Sequence, residues 1–212
     1  MTLTPHNNFK VLVGDVFPYP IDYSALFDGV SDYLSYTPSV AGNRKTWTVN
    51  TNCKWWAGTD DNALIDVYTD DNNRMYVGLN SSDNFFIFCI VGGVTLCSLS
   101  SSDVFPDATN HYSVNVAVDT TQATEGDRVV VEINGATVTM TGTFPSQNDD
   151  LYINATAQHT IAANTFSSTV RPANEYLSDF YLVDGQALPA STWGEQSGLV
   201  TGLWVPKAPG RS

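Results

Sequence analysis

Positive charge is scarce in this chain. Its 212 residues include 4 Lys and 5 Arg against 18 Asp and 4 Glu, a formal net charge of −13. Nucleic acid is therefore excluded as an expected partner, because attraction to phosphate needs clustered Lys and Arg. Membranes are disfavoured on the same ground. Charge of either sign is sparse, at 15% of residues, where about a quarter is usual. Disorder does not follow, since hydrophobic residues reach 42% and aromatics 12%. Cysteine is limited to Cys53, Cys89 and Cys97, an odd number without zinc-site or redox spacing. Each lies in an apolar run, which points to free thiols in the core, with a Cys89–Cys97 bridge as the alternative. No apolar stretch is long enough to span a bilayer. The start, MTLTPHNNFKVLVG, has neither the basic opening nor the apolar run of a secretory signal, so synthesis without an ordinary export signal is expected. Helical periodicity is missing too, and only Ala190–Glu195 suits a short helical turn.

What is present is alternation with a period of two, the mark of a half-buried strand. Over Lys45–Trp56, one face carries Trp47, Val49, Cys53 and Trp55 and the other Thr48, Asn50, Asn52 and Lys54. Ala63–Thr69 reads as a further strand, and Arg74–Leu79 follows with Met75, Val77 and Leu79 in phase. Phe85–Val91 and Val94–Leu99 flank Gly92-Gly93, a two-residue loop suited to a primed hairpin turn. His111–Val118 and Arg128–Ile133 continue the pattern, and Asn134-Gly135 turns the chain into Ala136–Thr141. Leu151–Asn154, His159–Ala162 and Tyr176–Val183 are the remaining expected strands. About a dozen short strands between Gly, Asn, Asp and Pro predict an all-β antiparallel sandwich. Three parts are expected: an extended arm over 1–24, the sandwich over 25–206 and a tail over 207–212. The arm carries Phe9, Lys10, Val11, Val13, Phe17 and Tyr19, and Pro18 and Pro20 keep it out of a central strand. It reads either as an edge strand of the same sandwich or as an arm that adds to a neighbour's sheet.

Several motifs resemble one family. Ala25–Leu34 (ALFDGVSDYL) and Ala41–Thr48 (AGNRKTWT) open the similarity, and His111–Ala123 (HYSVNVAVDTTQA) and Asp127–Gly135 (DRVVVEING) extend it. Tyr176–Leu188 (YLSDFYLVDGQAL), Trp193-Gly194-Glu195 and Thr201–Lys207 (TGLWVPK) close it. Together they resemble the laminin-G-like, concanavalin A-like jelly-roll domains of tailed-bacteriophage virion proteins over roughly 25–207. The resemblance implies two curved antiparallel sheets and a virion location. Function does not follow from that fold alone.

The residues point away from hydrolysis. A glycosidase needs two carboxylates flanking the scissile bond, and Glu125, Glu132, Glu175 and Glu195 form no same-face pair in a strand. Adjacent aspartates such as Asp149-Asp150 would face opposite ways. Asp60, Asp61, Asp70 and Asp71 lie in two loops bracketing one strand. They read as turn formers or as calcium ligands of the kind the resemblance implies. Tyr36, Trp56 and Tyr112 are the candidate sugar-stacking aromatics. Two functions are expected from different classes. The leading one is a capsid decoration (cement) protein on the outer surface of a phage head, with the second as its alternative. It would bind the major capsid protein and copies of itself, as a homotrimer, through the arm and the basic residues Lys207 and Arg211. The other is a glycan-binding host-recognition module of a tail fibre or spike.

Overall fold

The computed structural model describes residues 23–55, 62–106 and 109–207. The arm residues Phe9, Lys10, Val11, Val13, Phe17 and Tyr19 lie outside the described residues, as do Trp56, Asp60, Asp61 and Arg211.

Two antiparallel sheets stack face to face, as the alternation predicts. The strands in chain order are β1 (Ala25–Asp28), β2 (Leu34–Tyr36), β3 (Thr46–Trp55), β4 (Asn62–Asp70), β5 (Asn73–Leu79) and β6 (Asn84–Val91). They continue with β7 (Val94–Val104), β8 (Tyr112–Asp119), β9 (Val129–Ile133), β10 (Ala136–Thr137), β11 (Met140–Thr143) and β12 (Gln158–Ile161). The last five are β13 (Ala163–Phe166), β14 (Thr169–Pro172), β15 (Asn174–Asp184), β16 (Gly194–Gln196) and β17 (Trp204–Pro206). The first sheet has the order β1-β15-β3-β8-β9-β10 and the second β11-β7-β6-β5-β4-β12-β2. Two short ribbons, β13-β14 and β16-β17, lie outside these sheets.

The core holds the residues that the period of two selects. Trp47, Val49, Cys53, Val114, Val116, Val129 and Val131 from the first sheet meet Val77, Leu79, Phe85, Ile87 and Leu99 from the second. All three cysteines are free and buried, although Cys89 and Cys97 stand opposite each other in register. Both primed turns form. Gly92 and Gly93 have φ of 59° and 79°, and Asn134 and Gly135 have 52° and 73°, values that a two-residue I′ hairpin requires.

Three expectations need correction. Ala136–Thr141 is not one strand: β10 stays with the first sheet, Val138 turns into the core, and β11 pairs with β7 of the second sheet. The chain changes sheets there, which a continuous apolar-polar pattern does not reveal. Leu151–Asn154 is a turn-rich plug and not a strand. Leu151 and Ile153 are buried in alternation, but Asn154 has φ 65° and donates through Nδ2 to Asn43 O at 2.9 Å and Asp184 Oδ1 at 3.0 Å. The third concerns β3, which is buried on both faces at its centre, where Thr48 and Asn50 were expected to face solvent.

The cause is a C-terminal strap. Residues 185–207 cross the outer face of the first sheet and satisfy its polar groups. Thr48 Oγ1 donates to Gln186 O at 2.7 Å and accepts from Leu188 N at 2.8 Å. Asn115 Nδ2 donates to Leu188 O at 3.0 Å, and Glu132 Oε2 accepts from Ala190 N at 2.7 Å. A single 3-10 turn, Ala190–Thr192, is all that forms of the expected helical segment. Beyond it the Trp193 ring stacks on Tyr181 at 4.9 Å, and Trp204 packs against Gly135 and Gly194, where a Cβ would overlap its ring. Lys207 is part of the strap, its N–H donating to Trp193 O at 2.8 Å.

One residue breaks the apolar rule. Glu175 of β15 is 1% exposed and paired in register with Trp55 and Phe27, and neither of its carboxylate oxygens has a hydrogen-bond partner. A charged carboxylate there would be strongly disfavoured, so burial pushes its pKa well up and the group is held neutral.

Two outcomes test this architecture. Gly194→Ala should displace Trp204 and destabilise the fold by about 1–3 kcal/mol, as overpacking does; calorimetry and a red shift of tryptophan emission read both effects. Glu175 gives a pH test. Below the unfolded-chain value of 4.5 both states are protonated, whereas above it the unfolded chain ionises and the native one does not, so stability falls with rising pH. Glu175→Gln should flatten the decline in Tm between about pH 5 and pH 8.

Candidate functional site

A two-sheet sandwich offers two outer faces, and the strap occupies the first. What it leaves is a cleft of about 220 Å³ lined by Ala117, Asp127, Val130, Glu132, Ala187 and Pro189. Glu132 is already committed there to Asn115 Nδ2 and Ala190 N. No aromatic ring lines it.

The second sheet's outer face is different. In β5 the core residues Met75, Val77 and Leu79 alternate with Arg74 and Tyr76. In β6, Phe85, Ile87 and Cys89 alternate with Phe86, Phe88 and Ile90. Register places Asp66, Tyr76, Phe88, Ser98 and Thr143 side by side across β4, β5, β6, β7 and β11. The adjacent row holds Phe86, Ser100 and Thr141. Phe86 and Phe88 lie nearly parallel, 13° apart with centroids at 6.0 Å, and Tyr76 tilts against Phe86 at 6.2 Å. All three rings are half-buried, so each is fixed by its neighbours yet presents a surface. On one flank sit small hydroxyls. On the other stands the β13–β14 hairpin.

That hairpin is pinned onto the sheet by a buried acid. Thr165 N donates to Asp66 Oδ2 at 3.0 Å and Ser168 N to the Tyr68 hydroxyl at 3.1 Å. Desolvation raises the Asp66 pKa to about 7, opposed by the Thr165 hydrogen bonds and the nearby Arg74 charge. Arg74 lies between strand and hairpin, its guanidinium carbon 5.1 Å from the Phe88 ring centre and 5.4 Å from that of Phe166. Arg171 approaches the same Phe166 ring at 5.1 Å. Phe166 itself is 45% exposed. Rings and guanidinium groups thus brace one another by cation–π contact, each worth about 0.5–2 kcal/mol. The result is an apolar platform with hydroxyls on one side and cations on the other. Such a surface can stack on the C–H face of a sugar ring and exchange hydrogen bonds with its hydroxyls.

The residues expected from sequence are dispersed. Tyr36, 63% exposed, sits on the edge strand β2 opposite His159. Tyr112 is corrected: it is 8% exposed and stacked on Trp55 at 4.7 Å, so its ring belongs to the core and meets no sugar. Asp70 and Asp71 serve a hairpin turn. Asp70 Oδ1 accepts from Asn72 N at 2.8 Å and Asn73 Nδ2 at 3.1 Å, and Asp71 Oδ1 from the Tyr68 hydroxyl at 3.1 Å. Among the described residues no group of three or more His, Cys, Asp or Glu is placed to hold a metal. The platform residues Tyr76, Phe86 and Phe88 were missed. The sequence signal is that Phe85-Phe86-Ile87-Phe88 is apolar on both strand faces, which marks the second face as unusual without saying whether another layer covers it.

No protein-family model matches the chain, and no curated protein does. Solved structures resemble it in fold. Domain 4 of AbnA, a GH43 extracellular arabinanase from Geobacillus stearothermophilus, in complex with arabinotriose, is 16% identical with a TM-score of 0.57, over 79% of this chain and 73% of that one. The Ruminococcus gnavus IT-sialidase CBM40 bound to alpha2,3 sialyllactose is 11% identical with a TM-score of 0.55, over 80% and 95%. A heptameric SAP-like pentraxin from Limulus polyphemus is 15% identical with a TM-score of 0.54, over 79% and 77%. The all-β jelly-roll sandwich is shared with all three.

The hairpin that walls the platform is turned by Ser167 and Ser168, with φ of 46° and 62°. Residues with a Cβ are strained there, and Gly is not. Ser168→Gly keeps the N–H that binds Tyr68 and should stabilise the protein by roughly 1 kcal/mol, a gain of about 2–4 °C in Tm at this chain length; a thermal melt reads it.

Proposed function

We propose that this chain is a carbohydrate-binding domain whose outer second-sheet face stacks on a sugar through Tyr76, Phe86 and Phe88. The observation that carries the reading is the pair of near-parallel, half-buried rings Phe86 and Phe88 on a sheet face bordered by Ser98, Ser100, Thr141 and Thr143. An ordinary solvent face of a sandwich strand is polar. Three half-buried rings side by side on one outer sheet face, with no described element lying over them, support a binding surface. Two of the similar structures carry a sugar, arabinotriose in one and sialyllactose in the other, which supports this reading.

Binding without turnover is part of the proposal. Glu175 is sealed in the core, Glu132 holds the strap, and the platform has no pair of carboxylates flanking a scissile bond. The capsid-decoration reading rests on the expected arm and the acidic surface, and on the sequence resemblance for its phage origin. No observation in the fold adds to it, so the glycan-binding reading is preferred. In the sequence reading, this function is the one expected of a host-recognition module of a tail fibre or spike.

The test is glycan-array screening followed by calorimetry on the best hit. Phe88→Ala should weaken binding at least about tenfold, equivalent to about 1.4 kcal/mol, while the far-ultraviolet spectrum stays unchanged. Released reducing ends should not accumulate on prolonged incubation. Unchanged affinity in Phe88→Ala and in Phe86→Ala would place the binding surface elsewhere.

A further inference from the structure

The arginines of this acidic chain divide into two kinds. Arg44 and Arg128 are consumed by the fold: Arg44 donates to Leu151 O and Asp150 O, and Arg128 to Gln122 O, Ala123 O and Pro145 O. Arg74 and Arg171 have no such carbonyl partners among the described residues, although Arg74 braces the hairpin between the Phe88 and Phe166 rings. Arg74 Nε is buried without a hydrogen-bond partner. Arg171 is exposed, and its guanidinium lies over the Phe166 ring. Both therefore sit on the hairpin flank of the aromatic platform with donor capacity left over. In a protein of net charge −13, two cations brought together at one ring are a local reversal of sign. A guanidinium pre-oriented by a ring is well suited to a planar carboxylate, which it grips with two parallel hydrogen bonds.

We propose that the platform selects a carboxylated sugar, whose pyranose ring stacks on Phe88 and its neighbours while its carboxylate is held by Arg171 with Arg74 behind it. This rests on the glycan-binding reading above and narrows it to a ligand class. Charge complementarity decides the class. A neutral sugar would use the rings and the hydroxyl flank and leave the cationic flank idle. Asp66, the acid on which the Arg74 charge acts, is buried beneath the hairpin and engaged by Thr165 N, Asp71 is engaged by the Tyr68 hydroxyl, and Arg171 is the exposed cation of the pair. The shared chemistry is a carboxylate on a six-membered sugar ring, as found in uronic acids and in sialic acids.

Calorimetry with paired probes tests it: 3′-sialyllactose against lactose, and digalacturonate against galactobiose. One carboxylated probe should bind at least about tenfold more tightly than its neutral partner, and added salt should shrink the difference, as a charge-assisted contact requires. Arg171→Gln, at an exposed position, should bring the pair to within about threefold, whereas Arg171→Lys should restore part of the preference. The two carboxylated probes distinguish a sialic-acid from a uronic-acid ligand. Equal affinity within both pairs, or a preference that survives Arg171→Gln, overturns the inference. If neutral sugars bind and Phe88→Ala abolishes that binding without any carboxylate preference, this inference fails and the proposed function stands. If no sugar binds at all, both fail.

Discussion

The strap's hydrogen bonds to the first sheet are the constraint on which the rest depends. β3 and β8 carry Thr48 and Asn115 outward at the centre of a six-stranded sheet. Left to water these would make an ordinary polar face. Covered by residues 186–190, they become buried groups that must be paired, and Gln186 O, Leu188 N and Leu188 O pair them. A buried polar group left unmade costs more than the same bond gains when formed. The strap therefore has one position and little freedom to lift. Its Trp193 and Trp204 then lock the far end against Tyr181, Gly135 and Gly194. With one outer face closed by the chain itself, a ligand-binding surface has to be built on the other face, on the edges or on the rims.

The fold was legible because its core is written in strict alternation. Trp47, Val49, Cys53 and Trp55 or Met75, Val77 and Leu79 leave no doubt about which side is inward, and the Gly92-Gly93 and Asn134-Gly135 pairs fix where the chain reverses. Legibility stopped where alternation stops being informative. Leu151 and Ile153 are spaced as in a strand, yet they are two plugs dropped from a turn held by Asn154. Thr48 looks solvent-facing because the element that covers it lies about 140 residues later. The platform escaped notice for a related reason. Phe86 and Phe88 occur in a run that is apolar on both faces, and such a run reads as a deeply buried strand unless both covering layers are known. Tyr112 failed in the opposite sense: it was sought at the surface, and its phase with Val114 and Val116 places it in the core.

Formal charge overstates how acidic the working surface is. Burial pushes the Glu175 pKa well up and raises that of Asp66 to about 7, so neither carries the full charge of a surface carboxylate near neutral pH. Many of the remaining aspartates are engaged by turns. Asp28 accepts from the backbone of Val30, Ser31 and Asp32, which holds its pKa down to about 2. Asp119 and Asp149 likewise bind the turns they sit in. These acids shape the turns in which they sit. The net charge then acts as a general solubilising field, while the local sign near Phe166 is set by two arginines.

That local sign depends on an element the sheets do not hold. β13 and β14 form a two-stranded ribbon, and such a ribbon is at best marginally stable alone. It stays in place through Asp66, Tyr68 and the guanidinium of Arg74 set between Phe88 and Phe166. Its turn is made from two serines in the left-handed region, where Asn-Gly would be relaxed. Strain of this kind persists where the surroundings over-determine the backbone, and it concentrates at binding surfaces. Asp66 couples the two ends of the arrangement. When ionised it attracts Arg74 and accepts more strongly from Thr165 N; when protonated it weakens both. The wall of the platform and the cations on it thus share one buried anchor, so the geometry that would hold a ligand's ring and the charge that would hold its acid group rest on the same side chain.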